Sequence, residues 1–231
     1  MEISPFYEKS MTCINCLHKF KSIKVRSRFV RVSAHDSDFK PVYLDPLVNP
    51  LYYNVAVCPQ CGFSFSDDFS PYFAPGTKDV INKQITEKWT ARSFSTERNA
   101  LEAIETYKLS YLSALFKKEK SISIAGIALR ISWLYRDENN TVEELRFLTI
   151  ARDYYNTSYT EGDFVGTQMS ETRVLYMIAE LSRRIGDEKQ AIKGFSNVIE
   201  SQRQTTEPKL IDMAKERWQE MREEKEKRAQ I

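Results

Sequence analysis

The stretches Cys13-Ile14-Asn15-Cys16 and Cys58-Pro59-Gln60-Cys61-Gly62 hold all four cysteines of the chain, and each contains one C-x-x-C pair. Two such pairs about 40 residues apart can bring four thiolates to the corners of one tetrahedron, the arrangement of a structural zinc site. Four thiolates fill the coordination shell of zinc and leave no position for a catalytic water. The sequence therefore predicts that Cys13, Cys16, Cys58 and Cys61 form one closed zinc site that stabilises the fold.

Alternatives to zinc stay open at this point. The C-P-x-C-G pattern of the second pair also occurs in rubredoxins, which bind iron, although the first pair continues as Leu17-His18-Lys19 without a matching glycine. Free or disulfide-bonded thiols are a further alternative. If the thiolates are exposed enough to be oxidised, the same cluster would act as a thiol-based redox or zinc sensor.

The composition is that of a globular protein, with 42% hydrophobic and 29% charged residues in a chain of 231. A formal net charge of +2 gives no overall bias towards nucleic acid or a membrane surface. No run of 18 apolar residues predicts a membrane span. The first nine residues lack the basic and apolar segments of a secretory signal, so we expect a cytoplasmic location. In that reducing compartment, paired cysteines bind metal more often than they form disulfides.

The composition changes near residue 76. All four cysteines and seven of the eight prolines precede it, and no proline follows until Pro208. Loops and short strands are therefore predicted first, including a strand over 52–57 that leads into the second cysteine pair, and helices afterwards. The predicted fold class is α+β multidomain: a small zinc-ribbon-like β module over 1–75, then an all-α tetratricopeptide-like helical repeat domain over 76–231 that ends in a capping helix.

The helical part shows a repeat pattern. Residues 173–203 resemble a tetratricopeptide unit, because small residues at Ala179 and Ala191 allow close helix packing, Gly186 marks the turn and Phe195 fills the groove between units. An irregular bundle of the same helices is the alternative. The predicted helices lie near 78–92, 97–117, 121–136, 141–158, 169–186, 188–202 and 208–226.

One face of this helical array is a candidate binding groove. In tetratricopeptide repeats the first helix of each unit lines a concave surface. By position, that surface would carry Arg173, Tyr176, Arg183 and Arg184, with Arg130 and Trp133 from an earlier, degenerate unit. Arginine beside aromatic side chains suits an acidic or C-terminal peptide, so we expect a protein partner here. The competing interpretation is that these residues pack on the last helix or face water.

A basic stretch in the N-terminal part is a second candidate surface. Lys9–His35 contains seven Lys and Arg and no acid. Alternation over 23–29 predicts a strand whose cationic face carries Lys24, Arg26 and Arg28, which would contact nucleic acid. Pairing within the protein is the competing explanation, since the first 80 residues have a net charge of only +1, from nine basic and eight acidic residues.

No catalytic constellation is predicted. His35, Asp36 and Asp38 are interpreted as a turn whose side chains bond its own backbone, rather than as a second metal site or an acid–base cluster. The chain has two histidines, no Gly-x-Ser-x-Gly sequence and no Gly-rich phosphate loop, so nothing in it argues for an enzyme.

Several motifs follow one another in a fixed order along nearly the whole chain. They are Cys13-x-x-Cys16, Lys24-Val-Arg26, Asp36-Ser-Asp38-Phe39, Asn49-Pro50-Leu51-Tyr52-Tyr53, Val57-Cys58-Pro-Gln-Cys61-Gly62-Phe63, Ala128-Leu-Arg130-Ile-Ser-Trp133-Leu-Tyr135-Arg136 and Gly186-Asp187. In this order they resemble the bacterial domain-of-unknown-function 2225 family. The resemblance implies a cytoplasmic bacterial protein with a four-cysteine metal module joined to tetratricopeptide-like helices, and it implies no known activity.

The sequence thus supports one leading functional hypothesis and two others. The first is a non-enzymatic zinc-binding scaffold that binds a protein partner through its helical surface. The second is a nucleic-acid-associated regulator that uses the basic strand. The third is the redox or zinc sensor. None of the three involves a membrane.

Overall fold

The computed structural model of the protein describes residues 3–45, 47–203 and 205–229. Within these residues the N-terminal part contains three separate two-stranded antiparallel sheets, each a hairpin of neighbouring strands. The strands are β1 (Phe6–Thr12), β2 (Lys19–Val25), β3 (Val32–His35), β4 (Pro41–Tyr43), β5 (Ala56–Val57) and β6 (Ser64–Phe65). The cysteine pairs occupy the turns of the β1–β2 and β5–β6 hairpins.

The two strands predicted from the sequence are present, with different bounds. β2 ends at Val25, and Ser27–Phe29 form a short 3-10 helix, so the predicted strand over 23–29 is correct only in its first half. Of the predicted strand over 52–57 only β5 is extended, because Pro50–Tyr53 form a 3-10 helix. Asn49 caps that helix by accepting a hydrogen bond from the Leu51 N–H at 3.0 Å, and proline suits its first turn.

The C-terminal part is all-α, as predicted. In the described residues its helices are α1 (Thr77–Gln84), α2 (Ala100–Lys117), α3 (Ser121–Asp137), α4 (Thr141–Glu161), α5 (Glu171–Arg184), α6 (Glu188–Glu200) and α7 (Pro208–Ala229). Six of the seven predicted helices match these bounds to within three residues at each end, and α7 also continues to the last described residue. None of the helices in the described ranges combines the length and apolar character that crossing a bilayer requires.

The first predicted helix, over 78–92, is too long. α1 stops at Gln84, a 3-10 turn follows at Thr86–Lys88, and the backbone at Trp89 is extended. Trp89 is therefore not on the face of α1. Its indole N–H instead donates to the Pro59 carbonyl at 2.9 Å, inside the second cysteine loop.

Successive helices pack against one another, and α5 and α6 approach closely. Ala179 and Ala191 are both fully buried there, as the small-residue pattern predicts, and Phe195 is buried beside them. Gly194 on α6 faces α5, where a Cβ atom would lie only 2.7 Å from the Cβ of Ala179. Gly186 ends α5 with a φ of 83°. The tetratricopeptide interpretation of this pair stays a prediction.

The N-terminal part and the helices share one hydrophobic core, which runs from Cys13 to Ala214. Buried Arg98 joins the two parts: its guanidinium donates to the carbonyls of Tyr52 and Val55, both at 2.9 Å. The proposed boundary at 75/76 stays a prediction. Because the core is continuous, we expect loss of the N-terminal structure to destabilise the helices as well.

Candidate metal centre and helical groove

The two cysteine loops have the same backbone geometry. The Leu17 N–H donates to the Cys13 carbonyl, and the Gly62 N–H donates to the Cys58 carbonyl, each at 2.9 Å. Leu17 and Gly62 both have the left-handed backbone conformation, with φ values of 64° and 71°. The first loop therefore makes the turn that glycine makes in the second, although its sequence lacks the glycine.

These loops bring the four thiols together. The Sγ atoms of Cys13 and Cys61 are 3.7 Å apart, and those of Cys16 and Cys58 are 3.6 Å apart. All four sulfurs lie within 4.8 Å of one another. A tetrahedral site with metal–sulfur bonds of about 2.3 Å requires sulfur separations of about 3.8 Å. The cluster therefore has the size that a four-thiolate metal site needs.

The electrostatics of the cluster also fit a cation. The neighbouring Cys13 and Cys61 thiols stabilise the Cys58 thiolate and lower its pKa far below the ordinary value of a thiol. The proximity of Cys58 in turn raises the pKa of Cys13 well above its ordinary value. One thiolate is thus stabilised at the expense of its neighbours, and a bound cation would stabilise all four in the deprotonated form.

The cluster is enclosed on most sides. Cys13, Cys58 and Cys61 are buried, and Cys16 is the most exposed of the four. Trp89 covers the second loop so closely that a Cβ atom on Gly62 would lie 2.5 Å from the indole. Such a closed set of four thiolates suits a structural ion.

The turn predicted at His35–Asp38 lies between β3 and β4, and its side chains reach the helices. We call Asp36–Phe39 the hairpin tip. Arg136 on α3 donates to Asp36 at 2.8 Å and to Asp38 at 2.7 Å, and the Trp133 indole N–H donates to Asp38 at 3.0 Å. The Asp38 side chain is fully buried. The interpretation of this segment as a turn is confirmed, but its carboxylates bind helix residues as well as its own backbone.

Residues of α5 hold the rest of the hairpin tip. The Tyr176 hydroxyl donates to the Ser37 carbonyl at 2.9 Å, and the Ser37 hydroxyl donates to buried Glu180 at 2.6 Å. Arg184 donates to Asp36 at 2.5 Å and to Glu180 at 2.8 Å. Ser37 and its neighbours are therefore fixed by a continuous polar network.

The last residue of the tip packs against aromatic and cationic groups. The Phe39 ring lies 5.6 Å from the Tyr176 ring, and the Arg173 guanidinium lies 5.1 Å from the Phe39 ring centre. Trp133 and Tyr176, predicted to line an open groove, are buried at 8% and 0% exposure. Arg173 and Arg184 contact the same segment, so four of the six predicted groove residues surround the chain's own hairpin tip.

The other two predicted groove residues lie elsewhere. Arg183 donates to Glu180 at 2.7 Å, and among the described residues no hydrogen bond or ion pair joins it to the tip. Arg130 donates to the Gly126 carbonyl at 3.1 Å and lies 3.8 Å from Asp68. Arg136 was not among the predicted groove residues, although it lies at the end of the 128–136 motif and its charge complements Asp36 and Asp38.

The basic strand does not present a uniform cationic face. Lys24 turns towards the protein body, where its ammonium donates to the Asn54 carbonyl at 3.3 Å, and burial lowers its pKa. Arg26 lies 5.2 Å from the Tyr7 ring and Arg28 lies on the neighbouring 3-10 helix. Arg26 and Arg28 are both exposed, and nucleic-acid contact by these residues stays a prediction.

Comparison with known proteins identifies the family and nothing closer. No curated protein and no solved structure matches the chain. The family model described as "Uncharacterized protein conserved in bacteria (DUF2225)" matches residues 6–221, which include all four cysteines, the hairpin tip and the helical residues that hold it. The chain therefore belongs to this bacterial family, as the order of its motifs suggested.

Proposed function

We propose that this is a cytoplasmic, non-enzymatic scaffold protein that carries one structural zinc ion. It binds an acidic segment of a partner protein in the groove that holds the hairpin tip, which we call the arginine–aromatic groove. This groove is lined by Trp133, Arg136, Arg173, Tyr176 and Arg184. The proposal rests on the observation that the chain's own hairpin tip fills this groove. The hairpin tip has the sequence Asp36-Ser-Asp-Phe39, and it is bound by arginines, a tyrosine and a tryptophan. The groove is thus chemically complementary to an acidic segment that ends in an aromatic residue.

Zinc is the proposed ion because the ligand set is four thiolates in a closed, largely buried cluster. Zinc binds four thiolates without redox chemistry, and in a structural site it needs no open coordination position. The proposal predicts one zinc per chain by elemental analysis of the purified protein. The zinc should be lost when Cys58 and Cys61 are both changed to Ser, and retained in the control His18→Ala, which removes a non-ligand beside the first loop. Iron in the native protein would contradict this assignment.

An incoming segment has to compete with the hairpin tip. The tip is covalently attached, so its effective concentration at the groove is on the order of millimolar. An acidic peptide of low affinity would therefore bind poorly to the native protein. The same peptide should bind well when the tip no longer fills the groove. The tip would then act as an internal competitor that restricts the groove to high-affinity partners.

The test uses a fluorescent peptide with the sequence of residues 33–42. Its binding is measured by fluorescence anisotropy to the wild type and to a variant with Asp36→Ala and Phe39→Ala, both zinc-loaded and checked for native circular dichroism. The proposal predicts at least about tenfold tighter binding to the variant than to the wild type. Adding Arg184→Glu to the variant should abolish it. If the folded variant shows no saturable binding, the groove does not recognise acidic segments.

The sensor hypothesis is a second candidate, and the exposure of Cys16 favours it, because one ligand is open to oxidants while the other three are sheltered. Oxidation of Cys16 would remove one thiolate and release the zinc. Mild peroxide should then release zinc at a rate that matches a change in peptide binding. If zinc stays bound under peroxide, the sensor hypothesis is wrong and only the scaffold proposal remains.

A further inference from the structure

A cavity that is separate from the cysteine cluster and the hairpin tip lies between α3, α4 and the loop that precedes α5. Its volume is about 380 Å³, within the range of small-molecule sites. Ile122 and Met169 supply apolar wall, while Arg130 and Tyr155 supply polar groups. A smaller cavity of about 190 Å³ adjoins it, shares Arg130, and is also lined by Lys24.

Arg130 has unused hydrogen-bonding capacity in this cavity. Of the five N–H donors of a guanidinium, only one makes a hydrogen bond to the described residues, and it goes to the Gly126 carbonyl in the same helix. The nearest carboxylate, Asp68, lies 3.8 Å away and is 59% exposed, too distant for a hydrogen bond. By contrast, Arg136 binds three carboxylates of the protein. Arg130 is therefore available to bind an external anion.

Tyr155 provides a second donor. The residue is only 4% exposed, yet its hydroxyl makes no hydrogen bond to any other residue in the described ranges. Tyr155 is one of the residues that line the cavity, so its hydroxyl is a candidate donor to a ligand bound there. Burial raises the pKa of Tyr155 to about 12, which keeps the hydroxyl protonated and able to donate.

Gly126 keeps the space beside Arg130 open. It lies inside α3, where glycine costs about 0.5–1 kcal/mol relative to alanine. Its φ is ordinary for a helix, so backbone conformation does not require glycine here. A Cβ atom at this position would lie 3.0 Å from the Arg130 guanidinium nitrogen. The glycine therefore leaves the guanidinium room to lie along the wall of the cavity.

We propose that this cavity binds a small organic anion, a carboxylate or a phosphate ester with an apolar part. Arg130 binds the anionic group, the Tyr155 hydroxyl donates a hydrogen bond to it, and Ile122 and Met169 contact the apolar part. Asp68 is the local competitor, because the ligand has to replace it as the counterion of Arg130. This site is independent of the peptide groove, since the hairpin tip does not touch it.

The test is a titration of the ¹⁵N-labelled, zinc-loaded protein with benzoate and with phenyl phosphate, followed by NMR. The proposal predicts saturable shifts of the Arg130 side-chain N–H signal, and of the backbone amide signals of Gly126 and Met169 in the cavity wall, for at least one of the two probes. Tyr155→Phe should weaken binding about tenfold, because it removes one hydrogen bond to a charged group. Arg130→Gln should abolish binding. Asp68→Asn should tighten it about threefold, because an exposed ion pair that competes with the ligand is lost.

Arg146→Gln is the matched control, since Arg146 is an exposed arginine on α4 that binds Glu143 outside the cavity. It should leave the titration unchanged. Each variant is first shown to keep the circular dichroism and melting temperature of the wild type to within a few degrees. Absence of saturable shifts with both probes would overturn the proposal, and so would shifts that persist in folded Arg130→Gln.

Discussion

Substitutions at the equivalent turn residues of the two cysteine loops should have opposite effects on stability. Gly62→Ala places a side chain at a φ of 71°. The left-handed conformation costs about 1–2 kcal/mol for an L-residue. Alanine offsets about 0.4–1 kcal/mol of this cost, because it lowers the conformational entropy of the unfolded chain. The net conformational penalty is therefore about 1 kcal/mol.

The indole of Trp89 adds a second penalty to the same substitution. The new Cβ would lie 2.5 Å from the ring, so Trp89 has to move and strains its 2.9 Å hydrogen bond to Pro59. Overpacking of this kind costs about 1–3 kcal/mol. We expect Gly62→Ala to lower the free energy of unfolding by about 3 kcal/mol in total, from the conformational and packing penalties together.

Leu17→Gly is the matched change in the first loop. Leu17 has a φ of 64° and is 72% exposed, so glycine relieves the strained backbone and removes little buried surface. With about 1–2 kcal/mol gained and about 0.4–1 kcal/mol lost to a more flexible unfolded chain, we expect a stabilisation of about 0.5–1 kcal/mol.

Both variants are measured by urea unfolding of the purified protein, with circular dichroism and tryptophan fluorescence as probes. Repeating Gly62→Ala in a Trp89→Leu background separates the two penalties, because only the conformational one, about 1 kcal/mol, should remain. If Gly62→Ala costs the same with and without the indole, the packing argument is wrong. Destabilisation by Leu17→Gly would refute the equivalence of the two loops.

Three further predictions concern the helices and the hairpin tip. Gly194→Ala should destabilise the protein by about 1–3 kcal/mol in urea, because the new methyl group meets Ala179 at 2.7 Å. Asp38→Asn should destabilise it by about 3 kcal/mol, because Arg136 loses the charge of a fully buried partner. Burial opposes ionisation of Asp36, but Arg184, the Ser37 N–H and Arg136 outweigh it and lower its pKa. The stabilisation from Asp36 should therefore be complete above about pH 4 and be lost as the pH falls through the lowered pKa, so the difference in unfolding free energy between the wild type and Asp36→Asn should shrink on acidification.

Asp153→Asn is the control for both aspartate variants, because Asp153 is 61% exposed and pairs only with the adjacent Arg152 in the described residues. It should change stability by less than about 0.5 kcal/mol. A loss in Asp38→Asn no larger than in this control would show that the buried pair does not hold the tip. A constant difference for Asp36→Asn between pH 7 and pH 3 would contradict the lowered pKa.

The sequence was most informative where the pattern is local. C-x-x-C spacing predicted the cysteine cluster because each pair is fixed by one turn, and the period of apolar residues placed α2–α7 because each helix buries its own stripe. The end of α1 was missed because the Trp89 indole hydrogen-bonds to Pro59 in the second cysteine loop. This tertiary contact overrides the helical periodicity of the sequence. Likewise, the left-handed turn at Leu17 carries no glycine to reveal it.

The filled groove could not be predicted for a different reason. The contacts that hold the hairpin tip join residues 95 to 148 positions apart in the chain, a separation that periodicity and propensity do not report. The sequence identified arginines and aromatic residues on α3 and α5 and a compact acidic turn, but not that they meet. Charge complementarity between Asp36-x-Asp38 and Arg136 is the signal that could have joined them.

The long separation between the hairpin tip and its binding residues also has a consequence during synthesis of the protein. Asp36 and Arg184 are 148 residues apart, so at about 5–20 residues per second the tip is synthesised roughly 7–30 seconds before its last arginine. The cysteine loops, by contrast, are complete once residue 61 has left the ribosome, and metal can close them early. For that interval the acidic turn of the nascent chain lacks the arginine and tyrosine of α5 that hold it in the folded protein.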